Sequence, residues 1–151
     1  MTGLKRSGAI LALALCLTAF IPIQRAAAEE WPLSAGDFWD VTGVKLKDGG
    51  DLSYAKFLAG EWRTNQEFAK SQGWIKGYMV LSNINARSGE PDLYLVVIRD
   101  KLVSGPEDEK RDADFRAWKK KSIAQMQQEA GDRSQYREIV SSELLQEMKF
   151  R

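Results

Sequence analysis

The sequence contains no histidine and only one cysteine, Cys16, among its 151 residues. Without histidine the chain cannot use Ser-His-Asp or Cys-His catalysis, and it cannot hold haem through a histidine ligand. Zinc sites built from histidine or several cysteines are excluded as well. Because Cys16 lies in an apolar N-terminal run, the rest of the chain has no disulfide framework. We therefore expect a fold stabilised by its packed core, with no metal and no cofactor.

Residues 1–28 have the three regions of a secretory signal peptide. Residues 5–6 are basic, residues 8–23 form an apolar run, and residues 26–28 are three alanines that suit cleavage. A membrane anchor is the alternative interpretation, but the run is short for a span of about 20 residues, and Pro22 interrupts it. The sequence predicts export to the periplasm or the medium, with no membrane span after cleavage.

The remainder of the chain has little net charge. Residues 29–151 comprise 123 residues with 19 basic and 21 acidic side chains, so their net charge is about −2. This balance argues against a general nucleic-acid binder, because such domains are usually clearly basic. The length suits a single domain. We predict a mobile N-terminal lead-in over residues 29–36 and one α+β domain over residues 37–151.

Residues 54–81, YAKFLAGEWRTNQEFAKSQGWIKGYMVL, predict an amphipathic helix, a glycine stop and a strand. Apolar and aromatic side chains recur at steps of three and four residues, which places them on one helical stripe. Gly73 can take the left-handed conformation that ends a helix, and Trp74 can then fold back on Phe68. The members of the predicted stripe are Tyr54, Phe57, Leu58, Trp62, Asn65, Phe68 and Ala69.

The whole chain predicts the element order β-α-β-β-α-β, the split arrangement of ferredoxin-like folds with an antiparallel sheet. The first and third strands carry large apolar side chains on both faces, so both faces of the sheet need cover. The sheet of a second subunit would supply that cover, which predicts a homodimer. The predicted strands are residues 38–46, 75–83, 93–98 and 143–150, and the predicted helices are residues 52–72 and 104–130.

Four segments are similar to members of the dimeric α+β barrel superfamily. They are VKLKDGG (44–50), YAKFLAGEWR (54–63), FAKSQGWI (68–75) and VLSNINARSGEPDLYLV (80–96). Among these members the chain resembles small exported bacterial proteins of unassigned function. The resemblance covers nearly all of residues 29–151, and it implies the ferredoxin-like fold and a dimer. It transfers no catalytic motif.

Five tryptophans are many for a domain of this size. One interpretation places Trp39, Tyr54, Trp62 and Trp118 around a cavity between the sheet and the helices, where a flat apolar ligand could bind. Asn65 lies three residues after Trp62 on the same helical face. The competing interpretation is that the rings fill the core and that Asn65 satisfies buried hydrogen bonds.

The resemblance suggests a second possible role for Asn65. Some cofactor-free oxygenases and haem-degrading enzymes of the superfamily use an asparagine and a tryptophan in their pocket. The haem-degrading branch also relies on a histidine to hold iron, and this chain has none. An enzyme of this type would have to use aspartate, glutamate, lysine or tyrosine as its base.

Two charged motifs are weaker candidates for chemistry. Glu61 and Arg63 flank Trp62, but neighbours on a helix point in different directions, so we expect no joint site. Residues 90–92, Glu-Pro-Asp, could present carboxylates to a metal, but a turn before the third strand is the simpler explanation.

Three hypotheses follow from the sequence. The first is an exported homodimer that binds a small apolar or aromatic molecule or serves as an interaction module. The second is a cofactor-independent oxygenase or isomerase-like enzyme, in which Asn65, Trp62 and Tyr54 orient the substrate. The third is a purely structural dimer. A filled core would exclude the first two, and an apolar cavity without an ionisable group aimed into it would favour binding over catalysis.

Overall fold

The computed structural model describes residues 30–151, and the fold occupies Trp31–Arg151. Its strands are β1 (Leu33–Leu46), β2 (Gly77–Ser82), β3 (Leu93–Arg99) and β4 (Arg137–Phe150). They form one sheet in the order β2-β3-β1-β4, and every hydrogen-bonded pair is antiparallel. The α+β class with an antiparallel sheet is thereby confirmed. The predicted signal peptide, residues 1–28, lies outside the described residues.

The helices occupy the two long connections between strands. They are α1 (Asp51–Phe57), α2 (Arg63–Ser71), α3 (Gly105–Lys119) and α4 (Ile123–Asp132). A π-helical segment (Leu58–Trp62) joins α1 to α2, so that β1 and β2 are connected by one continuous helical run. A short 3-10 turn (Arg133–Gln135) follows α4 and leads into β4.

The first helical run ends as the sequence predicts. Gly73 has a φ of 68°, which is the left-handed region that glycine enters without steric cost. Its N–H donates to the Lys70 carbonyl at 3.0 Å, and the Trp74 N–H donates to the Ala69 carbonyl at 2.9 Å. This pair of bonds defines a Schellman end. The Trp74 ring then meets the Phe68 ring edge-on, with 5.4 Å between their centroids.

The second helical region is not the single long helix that the sequence predicts. The chain leaves the helix at Lys120, which has a φ of 53°, and re-enters it after Ser122. The Ser122 hydroxyl accepts a hydrogen bond from the Gln125 backbone N–H at 3.2 Å, and the Gln125 side-chain oxygen Oε1 accepts one from the Ser122 backbone N–H at 2.8 Å. This capping box starts α4 as a separate helix.

Strands β1 and β4 are longer than predicted. β1 begins at Leu33, which pairs with Phe150, so residues 33–36, half of the predicted mobile lead-in, are strand. β4 begins at Arg137, opposite Leu46, so it includes residues 137–142, which precede the predicted strand. Register shifts interrupt the β1–β4 ladder twice, which explains why strict alternation fails along both strands.

The core lies between the sheet and the first helical run. Its centre consists of Val44, Tyr54 and Leu95, which are 0%, 2% and 9% exposed. Val44 and Leu95 come from neighbouring strands, and Tyr54 comes from α1. Full burial of a large apolar side chain contributes about 1.5–3 kcal/mol, so this cluster fixes the helical run on the sheet. Partly buried neighbours of the cluster are Leu46, Phe57, Leu58, Trp62, Leu93 and Tyr136.

The opposite face of the sheet is also apolar. Side chains alternate along a strand, and residues that pair across neighbouring strands lie on the same face. The residues that flank each core residue along its own strand therefore lie on the opposite face. Val96 at the centre of this face is 1% exposed, whereas Leu81 and Leu145 are 46% and 51% exposed. The apolar residues of this face are Trp39, Val41, Met79, Leu81, Val96, Ile98 and Leu145.

Candidate functional site

An apolar groove lies between the first helical run and β2. It has a volume of about 520 Å³, and its surface is almost entirely carbon. Trp62 and Tyr78 form one wall, where their rings meet edge-to-face with 5.4 Å between centroids. The lining residues are Ala55, Leu58, Ala59, Trp62, Arg63, Tyr78 and Val80. A groove of this size and polarity fits a small flat or aliphatic molecule.

Small side chains on the helix leave the space that forms the groove. Ala55 and Ala59 are four residues apart, so they lie one above the other on the same helical face. Opposite them, Val80 of β2 remains 40% exposed because no larger side chain reaches it. The π-helical segment supplies Leu58, Ala59 and Trp62 to the lining. Short π-helical stretches occur frequently at functional sites, because the wider turn re-aims the side chains that follow.

Two of the lining residues, Arg63 and Tyr78, carry polar groups. The Tyr78 hydroxyl donates a hydrogen bond to the Glu67 carboxylate. That bond, together with a smaller effect of burial, raises the pKa of Tyr78, because ionisation would place two negative charges side by side. Arg63 lies beside the same hydroxyl and opposes the rise in pKa. Tyr78 therefore keeps its proton at neutral pH and acts as a donor.

Of the five pocket candidates from the sequence, only Trp62 lines the groove. Tyr54 is in the core, where burial is the main cause that raises the pKa of its hydroxyl. Trp39 pairs with Ile98 and lies on the opposite face of the sheet. Its indole Nε1 is buried without a hydrogen-bond partner among residues 30–151. Tyr54 is therefore a core residue, whereas Trp39 lies on the far side of the sheet from the groove.

Asn65 and Trp118 lie where α2 meets α3. The Trp118 ring stacks on Phe68, with 4.2 Å between centroids and 13° between planes. The Asn65 side-chain oxygen accepts a hydrogen bond from Lys119 Nζ at 3.1 Å. The amide therefore has a hydrogen-bond partner within the fold.

Lys119 connects the two helical regions through a second bond. Its Nζ donates to Glu61 Oε1 at 2.9 Å, and its side chain is only 12% exposed. Burial alone would raise the pKa of Glu61, but the hydrogen bond and positive charge of Lys119 outweigh it and lower that pKa. Glu61 and Arg63 thus point to different neighbours, as predicted.

A second cavity of about 230 Å³ lies between α2, α3 and β3. Arg99 and Arg111 both line it, and both are ion-paired, Arg99 with Asp40 and Arg111 with Glu107. Arg111 also lies over the Trp74 ring, 5.8 Å from its centroid. Both guanidinium charges have acidic partners, although the Arg99 Nε is buried without a hydrogen-bond partner among residues 30–151. The cavity is smaller than the groove and offers no arginine free of an ion pair.

The carboxylates of residues 90–92 have structural partners. Glu90 binds the backbone N–H and the guanidinium of Arg87 within the loop. Asp92 binds Lys45 Nζ at 2.7 Å and the Leu46 N–H at 2.8 Å, which fixes the loop to β1. Within residues 30–151 no group of three or more acidic, histidine or cysteine side chains is placed to hold a metal ion.

Sequence reasoning missed most of the groove. Ala55, Ala59, Tyr78 and Val80 were not singled out, because small and aliphatic residues carry no chemical signal of their own. The spacing of Ala55 and Ala59 could have indicated the groove, because two small side chains four residues apart leave a gap on one face of a helix. Here that face turns toward β2.

Comparison with known proteins adds no functional assignment. No protein-family model, curated protein or solved structure matches the chain. Among residues 30–151, no helix has both the length and the apolar character needed to cross a membrane. The candidate site is the groove beside the π-helical segment, and the proposed function rests on the residues that line it.

Proposed function

We propose that this chain is an exported homodimeric protein that binds a small apolar or aromatic molecule in the groove between the π-helical segment and β2. The observation that carries the proposal is the nearly all-carbon surface of a 520 Å³ groove on a domain of this size. Ligand sites are typically concave and mostly apolar, with a few polar groups that fix orientation. Here Tyr78 and Arg63 supply those polar groups.

The proposed fold type is the ferredoxin-like sheet of the dimeric α+β barrel superfamily. The strand order β2-β3-β1-β4 with antiparallel neighbours supports this assignment, as does the alternation of strands and helices along the chain. The apolar opposite face of the sheet supports a second copy as its cover, with β4 at the edge of the contact. The signal-like features of residues 1–28 support export to the periplasm or the medium.

A groove-filling substitution tests the binding proposal. Ala59→Trp places an indole in the space that a ligand would occupy, because Ala59 lines the groove between Leu58 and Trp62. Ala113→Trp is the matched control, since Ala113 is exposed on α3 away from the groove. The measurement is native mass spectrometry of protein purified gently from an exporting bacterial host, followed by titration with small aromatic compounds.

We expect the wild-type protein and Ala113→Trp to bind a small apolar compound, and Ala59→Trp to bind none. Circular dichroism should show that both variants are folded. Equal binding by Ala59→Trp and wild type would place the ligand elsewhere. No binding of any compound by the wild type would leave an interaction module or a purely structural role.

A cofactor-independent enzyme is the second candidate, favoured by one observation. Tyr78 and Glu67 form a hydrogen-bonded donor–acceptor pair beside the groove. Such a pair can transfer a proton to or from a bound substrate. Asn65 and Tyr54, the residues that the sequence suggested for this role, are engaged elsewhere. Turnover that Tyr78→Phe abolishes without loss of binding would establish the enzyme.

A further inference from the structure

Arg63 differs from the other arginines near a cavity because it has no acidic partner. Arg99 and Arg111, which line the second cavity, are each ion-paired. Arg63 lines the apolar groove and is exposed, and within residues 30–151 it forms no salt bridge. Its side chain interacts with the Tyr78 hydroxyl. A guanidinium without an acidic partner beside an apolar groove is a recognition group for an anion.

The neighbouring carboxylate does not neutralise Arg63. Glu67 is one helical turn further along α2, where an ion pair with Arg63 is common, yet its carboxylate accepts from the Tyr78 hydroxyl instead. Tyr78 keeps its proton, so it adds no negative charge to the groove. Glu67 is a negative group close to the site, and it should weaken the attraction for an anion without removing it.

We propose that the ligand of the groove is a monocarboxylic acid with an aromatic or short aliphatic body. This inference rests on the proposed function, because it assigns a ligand class to the same groove. The apolar body would lie against Ala59, Trp62 and Val80, and the carboxylate would lie beside the Arg63 guanidinium. Guanidinium and carboxylate groups form two parallel hydrogen bonds, which fixes the direction in which the molecule enters.

The test compares matched acids and amides. Isothermal titration at neutral pH measures the Kd of 2-naphthoate against 2-naphthamide, and of octanoate against octanamide. Each pair has the same body and differs only in charge. Because Arg63 is exposed, we expect each acid to bind roughly three- to tenfold more tightly than its amide. The preference should shrink at high salt, since exposed charges are screened.

Three variants make the comparison specific. Arg63→Gln should remove the preference for the acid, and it should change the Kd of the acid more than the Kd of the amide. Arg116→Gln, which removes the same charge from α3, should keep the preference. Glu67→Gln should strengthen acid binding while leaving amide binding nearly unaltered, because it removes the nearby negative charge.

The outcomes separate this inference from the function on which it rests. If acid and amide bind equally to the wild type, or if Arg63→Gln keeps the preference for the acid, the inference is wrong and the apolar groove still stands as a ligand site. If neither acids nor amides bind, the proposed function fails as well. Loss of the preference in Arg63→Gln alone supports both.

Discussion

Lys119 is the single side chain that does most to join the two helical regions. It is 12% exposed and donates to Glu61 and Asn65, which lie on the first helical run. Lys119→Met keeps most of the apolar side chain but removes both hydrogen bonds, so the partly buried Glu61 carboxylate loses its hydrogen-bonded cation and retains only the more distant charges of Lys121 and Arg133. We expect the free energy of unfolding to fall by about 1–3 kcal/mol.

Urea denaturation followed by circular dichroism measures this change. Lys70→Met is the matched control, because Lys70 is exposed on α2 and contributes no such bond; its effect should stay within about 0.5 kcal/mol. Equal stability of the two variants would show that the contact between the helical regions depends on the aromatic cluster around Phe68 and Trp118 instead.

Asp92 gives the protein a predictable response to acid. The salt bridge with Lys45, followed by the hydrogen bond from the Leu46 N–H, lowers the pKa of Asp92 below its usual 3.8. A carboxyl whose pKa is lower in the folded state stabilises that state above its unfolded pKa, and the contribution is lost as the pH falls through the folded value. Asp92→Asn should therefore cost about 1–2 kcal/mol at neutral pH.

The difference in free energy of unfolding between wild type and Asp92→Asn should become smaller below a pH of about 3.8, where the wild-type carboxyl takes up a proton and loses its charge. Thermal unfolding of both proteins across this range measures it. Asp48→Asn, in the exposed turn nearby, controls for the general loss of negative charge. A difference that does not change with pH would mean that the backbone bond to Leu46, and not the charge, stabilises the loop.

At the scale of single residues, the sequence predicted local roles better than it predicted contacts across the fold. Gly73 and Trp74 could be assigned because a helix end depends only on neighbours in the chain. The partner of Asn65 could not, because Lys119 is distant in sequence and reaches it only after α2 and α3 pack together. Arg63 was correctly separated from Glu61, but the groove that gives it a role was not predicted.

The break between α3 and α4 is the main feature at the scale of elements. Ser122 satisfies the first free N–H groups of α4 through its hydroxyl, and Gln125 reaches back to the Ser122 N–H. Ser122→Ala should lower the free energy of unfolding by about 1 kcal/mol, as is typical for loss of a helix N-cap. Urea denaturation measures this change.

Ser134→Ala is the control for that prediction, since Ser134 is an exposed serine that contributes no cap. An unchanged stability of Ser122→Ala would mean that α4 is held by Lys121, which pairs with Glu129, more than by its cap. The two contributions can then be separated by Lys121→Met in the same background.

The helical periodicity of the sequence explains why this break was missed. Phe115, Trp118, Ser122 and Met126 continue a regular spacing through the gap, so the pattern resembles one long helix. The Ser-x-x-Gln signal of a capping box was present at Ser122, but it is short and competes with a pattern of more than 20 residues. The π-helical segment was not predicted either, because the apolar residues on both sides of it fit ordinary α-helical spacing.

At the scale of the whole molecule, the exposed apolar surface of β4 favours association with a partner. β4 is an edge strand of 14 residues, and it exposes large apolar side chains on both faces. Leu144 and Leu145 are 52% and 51% exposed, and they point to opposite sides of the sheet. A long apolar edge of this kind is an association site unless it is covered or carries charge. Other exposed apolar residues of β4 are Ile139, Val140, Met148 and Phe150.

The α+β class and the antiparallel sheet could be predicted from the sequence because each strand and helix has its own local pattern. The length of β4 could not, since residues 137–142 have no apolar run and become strand only by pairing with β1. The same limit applies to the partner of the apolar sheet face. The sequence predicts that a cover is needed, and the fold shows where it would have to lie.

Charge on the edge strand therefore tests the dimer directly. Leu145→Lys puts a positive charge on the sheet face opposite the helices, where a second copy would cover it. We expect wild type to sediment as a dimer at micromolar concentrations and Leu145→Lys to sediment mainly as a monomer, because an uncompensated charge in a buried contact costs several kcal/mol, about a hundredfold or more in Kd. Leu52→Lys is the control, since Leu52 is 67% exposed on α1, and it should remain dimeric. A wild-type protein that is monomeric throughout would disprove the homodimer and require another partner for β4.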